Sequence, residues 1–448
     1  MKRYVTFIFI LLLSLTLWSQ TFRGNITDEF GNPVSHASVY LKELNTGLTA
    51  DDNGKFQIAL QPGNYTCEVS SLGFTGQTFT FSISTADVNR NFILSEQIYD
   101  LGEVNIVRNS NEDPAYSVMR NVIANAPYYR VQVKSYRAGT YLKGTGKMKT
   151  IPAVLKLSKQ IRKDAKLMLG KLFVLEEQQV VNFTAPSTWK TEVKAYSNSF
   201  PEEMQVELGI TTINLYNPII FDKISPLSTG AFSYYKFKLD GCYNEGDYVI
   251  NKIKVIPKRD DSRLVSGYLY VVDDLWCVSA AELSIRMTGL KAFVKVICKE
   301  VQPSVFLVTS TSMTCQVDMM GFKADASYLA AIHYSEVKVL NRKQSINNWA
   351  TAVTGTPKQD RKRTKMFKQM EELTQKGDLT LSEAHKLSKY LEKSMAQSDT
   401  VAAKHKYERK TTKSQFEVKT DSLADKKDSI YWDKIRSVPL LTEEMESY

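Results

Sequence analysis

The sequence predicts a mainly β protein. A seven-stranded N-terminal β-sandwich leads into a larger, curved antiparallel sheet with flanking helices, and a charged helical tail follows. Three observations carry this prediction. Between Gly24 and Phe74, short β-type runs alternate with turn chemistry at steps of roughly ten residues. Between about Val131 and Leu340, long alternating runs are separated by hairpin-type breaks. From about Lys358 to Lys427 the chain turns charged and poor in aromatics. The expected units are 1–20 (signal peptide), 21–107 (sandwich), 112–345 (β-rich unit) and 346–448 (charged helical or linker tail).

Lys2 and Arg3 precede an apolar run from Tyr4 to Trp18, and Ser19-Gln20-Thr21 follows. This is the pattern of a secretory signal peptide, so the chain is expected to be exported. In the sandwich, Ile26, Val39, Leu41, Phe56, Ile58, Tyr65 and Val69 form an apolar face at period two. Gly31-Asn32-Pro33, Asn53-Gly54 and Pro62-Gly63 supply turns, because Gly and Asn accept positive φ and Pro presets φ. Thr78, Thr80 and Ser82 alternate with Phe79, Phe81 and Ile83 as a half-buried strand. Asn91–Leu94 and Val104–Val107 read as closing strands.

Asp113-Pro114 opens a helix whose buried face is Tyr116, Met119, Val122 and Ile123, with Ala126-Pro127 as its expected end. Pro152–Leu169 reads as a helix or helical loop, and Pro186–Lys190 as a turn. Strands are expected at Ser135–Lys143, Leu172–Phe183, Thr191–Tyr196, Tyr234–Leu239, Val249–Ile256, Leu264–Val272 and Trp276–Ile285. Three more follow at Phe293–Val301, Phe306–Asp318 and Phe322–Val339. Gly241, Glu245-Gly246-Asp247, Pro257–Arg263 and Asp273-Asp274 are the expected breaks. In the tail, Thr380-Leu381-Ser382-Glu383 fits a capping box. It starts a helix with Leu387, Tyr390, Leu391 and Met395 on one face.

The formal charge of +10 fits either an anionic neighbour or a solvated, lysine-rich surface. Five cysteines (Cys67, Cys242, Cys277, Cys298, Cys315) are an odd count, most in strand-like contexts; they read best as buried small hydrophobes, with a bridge among Cys242, Cys277, Cys298 and Cys315 as the alternative. Without a CxxC, zinc-ribbon and thioredoxin readings lack support. His333-Tyr334-Ser335-Glu336 spells HxxE, a zinc-binding start, but a strand would turn His333 and Glu336 to opposite faces. Asp51-Asp52-Asn53-Gly54, Asp260-Asp261 and Asp273-Asp274 read as turns. Nothing spells a nucleophile elbow or a phosphate-binding glycine loop. Accordingly no catalytic, cofactor-binding or metal residue is assigned.

Gly24, Asp28, Gly31, Pro33, Ala37, Val39, Thr49, Asp51, Asn53, Gly54, Phe56, Pro62, Gly63, Tyr65, Gly73 and Phe74 together resemble the carboxypeptidase-regulatory-like domain, a transthyretin-like sandwich. The resemblance implies a non-catalytic adaptor, often found at the start of outer-membrane TonB-dependent receptors. Lys254–Lys258 and Ser266–Asp273 resemble the half-barrel of periplasmic lipoprotein carriers, which implies a groove for acyl chains or an envelope sensor. The wider order resembles a Bacteroidota envelope family with a regulatory-like sandwich, a domain of unknown function and then an outer-membrane barrel. Asp113–Tyr116, Ala185-Pro186, Ser225-Pro226-Leu227, Tyr234–Phe237, Ile253–Lys258, Gly267–Tyr270, Asp428–Trp432 and Ile435–Leu440 carry that likeness. In that family the Val-Pro-Leu segment leads into the barrel. Here Leu441–Tyr448 follows it, so the chain is expected to be the soluble part of a longer product or a barrel-less relative.

The functional expectation is a non-enzymatic periplasmic module of an outer-membrane-associated protein. Its expected partner is an outer-membrane protein or barrel, with lipid as a further candidate and no nucleic acid. A lipid or acyl-ligand carrier or sensor is one alternative, and a degenerate metallopeptidase-like enzyme is another.

Overall fold

A computed structural model describes residues 20–100, 112–152, 168–185, 188–201, 209–342, 357–396 and 415–447. The signal peptide, the Val104–Val107 strand, most of the Pro152–Leu169 helix and the Pro186-Ser187 turn lie outside these residues.

The sandwich is built from β1 (Gln20–Asp28), β2 (Ser38–Leu41), β3 (Thr46–Thr49), β4 (Lys55–Leu60), β5 (Gly63–Ser70), β6 (Gln77–Ile83), β7 (Val88–Asn89) and β8 (Phe92–Leu94). One sheet holds β4, β1, β7 and β8, and the other runs β3-β2-β5-β6. Phe22, Ile26, Val39, Leu41, Phe56, Tyr65 and Val69 fill the space between them. The expected apolar face is buried except at Ile58, which is half-buried. The Asp51–Gly54 segment is a turn: Asp51 Oδ1 accepts the amides of Asn53 and Lys55 at 2.9 and 2.8 Å.

Helix α1 (Ala115–Val131) follows. Asp113 Oδ1 accepts the Ala115 amide at its start and the Leu239 amide across from it. The helix does not end at Ala126 as the sequence suggested, because Pro127 lies inside it. An interior proline costs about 3 kcal/mol. Here Ile123, Ala124 and Tyr128 are buried on both sides of it, and that packing carries the helix onward.

The larger sheet begins with β9 (Val133–Thr150), β10 (Leu172–Thr184) and β11 (Thr188–Asn198). After the short β12 (Ile219–Ile220) and β13 (Lys223–Ile224) and the turn-length helix α2 (Ala231–Tyr234), seven long strands form an antiparallel meander. They are β14 (Tyr235–Glu245), β15 (Tyr248–Pro257), β16 (Val265–Val272), β17 (Cys277–Met287), β18 (Leu290–Gln302), β19 (Val305–Met319) and β20 (Phe322–Val339). The sheet curves as a half-barrel. Gly241 is not a break. It sits inside β14 at a bulge between Leu239 and Cys242, with φ of +125°. A Cβ there would lie 2.7 Å from the Cβ of Tyr99, so the glycine lets the sandwich's exit segment pair through Asp100 and Cys242.

One face of the meander is closed by α1 and the 209–234 segment. Met119 and Val122 of α1, with Ile210, Leu215 and Leu227, bury Ile253, Val255, Leu269, Val271, Leu283, Val294 and Val296 in one core. The space where an open half-barrel would offer a groove is packed by these residues.

The sandwich and the half-barrel share a sheet. Strand β19 pairs with β20 only as far as Ala331. From there β3 takes its place, with Ile332 opposite Gly47 and His333 opposite Thr46. A Cβ on Gly47 would lie 2.5 Å from the Cβ of Thr309 and 2.7 Å from its carbonyl oxygen, and Thr309 is fully buried. Only glycine fits this fork. His333 Nδ1 lies 2.6 Å from Thr46 Oγ1, and the Tyr334 amide donates to the Asn45 carbonyl.

The described helices of the tail are packed on the domain rather than solvated. Helices α3 (Pro357–Gln375) and α4 (Leu381–Ala396) bury Met370, Leu387, Leu391 and Met395 against Ala124 and Tyr128 of α1. The capping box is present, with Thr380 and Glu383 exchanging hydrogen bonds. Strand β21 (Gln415–Thr420) then pairs in parallel with β11. Helices α5 (Ser429–Ile435) and α6 (Thr442–Met445) return the chain to the sandwich, where Trp432 enters its core. Buried ion pairs clamp this return. Arg436 engages Glu176 through Nε and an Nη at 2.8–3.2 Å, and Lys143 Nζ lies 2.7 Å from Glu444.

Two outcomes follow at the splice. Gly47→Ala will cost about 1–3 kcal/mol by overpacking, read by urea denaturation, with faster hydrogen exchange in β3. Burial holds the His333 pKa below its ordinary 6.5, against a smaller opposing effect of the Leu44 backbone. The unfolded chain therefore takes the proton first. The stabilising contribution of neutral His333 is full above pH 6.5 and is lost as pH falls through the lower folded value. Melting temperature will drop across that window, and His333→Gln will flatten the drop.

Candidate functional site in the cleft between sandwich and half-barrel

A cleft of about 660 Å³ opens where the sandwich meets the outer side of the half-barrel. Strands β2, β5 and the start of β6 form one wall. The β14–β15 hairpin, β17 and β18 form the other. Alternation along β18 explains the setting: Val294 and Val296 face the main core, so Lys295 and Ile297 face the cleft side. Cys298 continues the core side despite a register shift at Ile297/Cys298, so Lys299 falls on the cleft side and sits buried at its base.

Lys299 ties the two walls together. Its Nζ lies 2.8 Å from Glu245 Oε1 of the half-barrel and 3.6 Å from Glu68 Oε2 of the sandwich. Glu68 Oε1 also meets Lys42 Nζ at 2.6 Å. Burial opposes the Lys299 charge, but Glu245 and Glu68 outweigh it and hold the ammonium's pKa above its ordinary value. In return Lys299 holds the Glu245 carboxyl below its own. Beside them, Glu300 accepts from the Tyr248 hydroxyl at 2.9 Å and the Ser304 amide at 2.6 Å. Tyr40 of β2 donates to the Glu300 carbonyl at 3.2 Å. Lys295 donates to Ser71 Oγ at 3.1 Å, and burial pulls its pKa down. Val69, Leu72, Ile250, Ile297 and Phe306 give the cleft an apolar wall between the charges.

These groups suit binding more than bond-making. Behind the cleft, the Cys298 thiol in the main core is pushed up to about 12 by burial, and so is Cys67 in the sandwich core. Neither is a thiolate near neutral pH. The carboxylates are paired with lysines or hydrogen-bonded. All five cysteines are free, with Cys67, Cys277 and Cys298 buried.

The HxxE residues are separated by their settings. His333 is half-buried at the splice, whereas Glu336 is exposed at a bulge with φ of +55°. Among the described residues, no group of three His, Cys, Asp or Glu converges as a metal site. Asp261 is a turn residue whose carboxyl bonds Arg263 at 2.8 Å, which holds its pKa well below the usual range. Tyr235 and Tyr270 are core residues, while Tyr234, Tyr268 and Trp276 are half-buried. The sequence reading missed Glu68, Glu245 and Lys299, because it treated the sandwich and the β-rich unit apart. The available signal was charge inside apolar strands: Cys67-Glu68-Val69 and Val296-Ile297-Cys298-Lys299.

Replacing Lys299 by Met will strip Glu245 of its cation and leave Glu68 with Lys42 alone. Both carboxylates are partly exposed, so a loss of about 1–2 kcal/mol is expected on denaturant unfolding. Adding Glu245→Gln will recover part of it, giving a non-zero coupling in a double-mutant cycle.

The comparisons with known proteins follow this geometry. Residues 22–106 match the family model of the CarboxypepD_reg-like domain, and residues 118–335 match that of a family of unknown function, DUF5686. No curated protein matches the chain. Several solved structures are similar to parts of it. A DUF1329 family protein from Desulfovibrio piger shares 9% identity, covering 51% of this chain and 94% of that one, with a TM-score of 0.22. A LolA superfamily protein from Nitrosomonas europaea shares 9% identity over 51% of this chain and 94% of that one, with a TM-score of 0.18. The chain spans 56% of a chain in a type II cohesin–X-dockerin complex from Acetivibrio cellulolyticus, at 17% identity, 17% of this chain and a TM-score of 0.15. Scores this low carry no functional inference. The chain carries a CarboxypepD_reg-like domain at its N-terminus, followed by a DUF5686 domain.

Proposed function

We propose that this chain is a non-enzymatic module of the cell envelope that docks onto an outer-membrane partner. The carrying observation is the continuous sheet that joins the sandwich to the half-barrel, with the half-barrel's inner face packed by α1 and the 209–234 segment. Such an arrangement suits a rigid scaffold that presents surfaces. The signal-like stretch from Lys2 to Trp18 supports export. Among the described residues, no helix is long and apolar enough to cross a membrane, which says nothing of a β-barrel. The sandwich acts as the adaptor and the half-barrel as its support. The paired carboxylates at the cleft favour binding over catalysis.

The test is photo-crosslinking of the full chain in its native envelope, followed by membrane fractionation. Recovery in the outer-membrane fraction with a crosslink to an integral outer-membrane protein is expected. Recovery free in the periplasm with an extractable acyl ligand would instead establish the carrier reading. Zinc-dependent peptide hydrolysis abolished by His333→Ala would establish the peptidase reading.

A further inference from the structure

Every edge of the sandwich's β3-β2-β5-β6 sheet but one is accounted for. Strand β3 is closed by β20. On the opposite sheet, the C-terminal return reaches the β4 edge, where the Gln57 amide donates to the Ser437 carbonyl at 3.0 Å. Strand β6 pairs with β5 alone, and its other edge meets no strand among the described residues. The Gln77 side chain caps the Ile93 carbonyl at the start of β6, and beyond it the edge has no backbone partner among the described residues. From Gln77 to Ile83 the strand reads Gln-Thr-Phe-Thr-Phe-Ser-Ile, and Thr78, Thr80 and Ser82 are exposed. It contains neither charge nor proline, the devices that normally keep an edge from pairing.

Strand β6 starts in the cleft, since Gln77 and Thr78 line it. There Glu68, Glu245, Asp247 and Glu300 stand against Lys42, Lys299 and the Lys295 that bonds Ser71 of the wall, four negative groups to three positive. This is an island of negative charge on a chain whose net charge is +10.

We propose that β6 and the adjoining cleft form a docking site for one extended peptide strand of a partner protein. The strand adds to the β6 edge through backbone hydrogen bonds and places a basic residue in the cleft. The edge supplies affinity without regard to sequence, and the acidic cleft supplies polarity and register. This deepens the docking reading and rests on it.

The probe is a fluorescein-labelled peptide of alternating Thr and Val with a Lys at one end, made with the Lys at either end and with Glu in its place. It is titrated into the full chain. One Lys peptide is expected to bind at least tenfold more tightly than its Glu counterpart, and to slow hydrogen exchange in residues 77–83 at least tenfold. Thr80→Lys, which places a charge on the exposed edge, and Asp247→Lys, in an exposed hairpin turn, should each weaken binding about tenfold while leaving the melting temperature in place. Equal binding of Lys and Glu peptides, or binding that leaves residues 77–83 unprotected, overturns the proposal. So does displacement of the peptide by a medium-chain fatty acid. Protection of β6 without peptide, with a dimer by light scattering, overturns it in favour of a second copy. If native-envelope crosslinking persists unchanged in Thr80→Lys, docking stands and this surface is the wrong one. If crosslinking is absent from the unsubstituted chain, the docking reading itself fails.

Discussion

Everything in this fold depends on the fork where β3 enters between β19 and β20. A strand can join another sheet only if its backbone comes within hydrogen-bonding distance and its side chains leave room. Gly47 meets the second condition against Thr309, while Thr46 and Asn45 bring partners to His333 and Tyr334. The sandwich is thereby held in one orientation on the half-barrel. A linker alone would leave domain motion as the default expectation.

The cleft is a consequence of that splice. Two curved β structures joined along one line diverge away from it, and the wedge between them must be filled or lined. Here it is lined, and the ion pairs of Lys299 span it. A buried lysine with two carboxylates adds little net stability over an apolar filling, but it penalises any shift that separates the charges. Glu68 and Glu245 come from different units, so the triad reports their relative position. The packed inner face and the lined outer cleft divide the work: one holds the half-barrel rigid, the other is left accessible.

Much of this was legible in the sequence. Period-two apolarity placed Ile26, Val39 and Phe56 in a sandwich core, and turn residues such as Glu245-Gly246-Asp247 separated β14 from β15. Thr380 and Glu383 announced the start of α4. What stayed hidden was long-range pairing. Nothing local in Thr46-Gly47-Leu48-Thr49 names Ile332 and His333 as partners, since two ladder pairs leave no periodic trace. Pro127 misled because local propensity is weaker than the burial around it. Gly241 misled because a bulge and a turn both call for glycine. The tail's charge suggested solvation, yet one apolar stripe of α4 sufficed to dock it on α1. The cleft was invisible for the same reason as the splice: its walls come from segments over 170 residues apart, Glu68 and Glu245 among them.

The C-terminal return also has a mechanical meaning. A load applied beyond residue 447 would first strain the contact of Glu444 with Lys143, then that of Arg436 with Glu176, and only then draw Trp432 from the sandwich. Each ionic contact is buried, so breaking it means separating charges out of reach of water. The clamps thus work as graded fuses in series. Tension that passes α6 next meets the Gln57–Ser437 backbone bond at the edge of the sandwich. Tension large enough to pass Arg436 pulls a tryptophan from the sandwich core, turning a pull at one end of the chain into a loosening at the other.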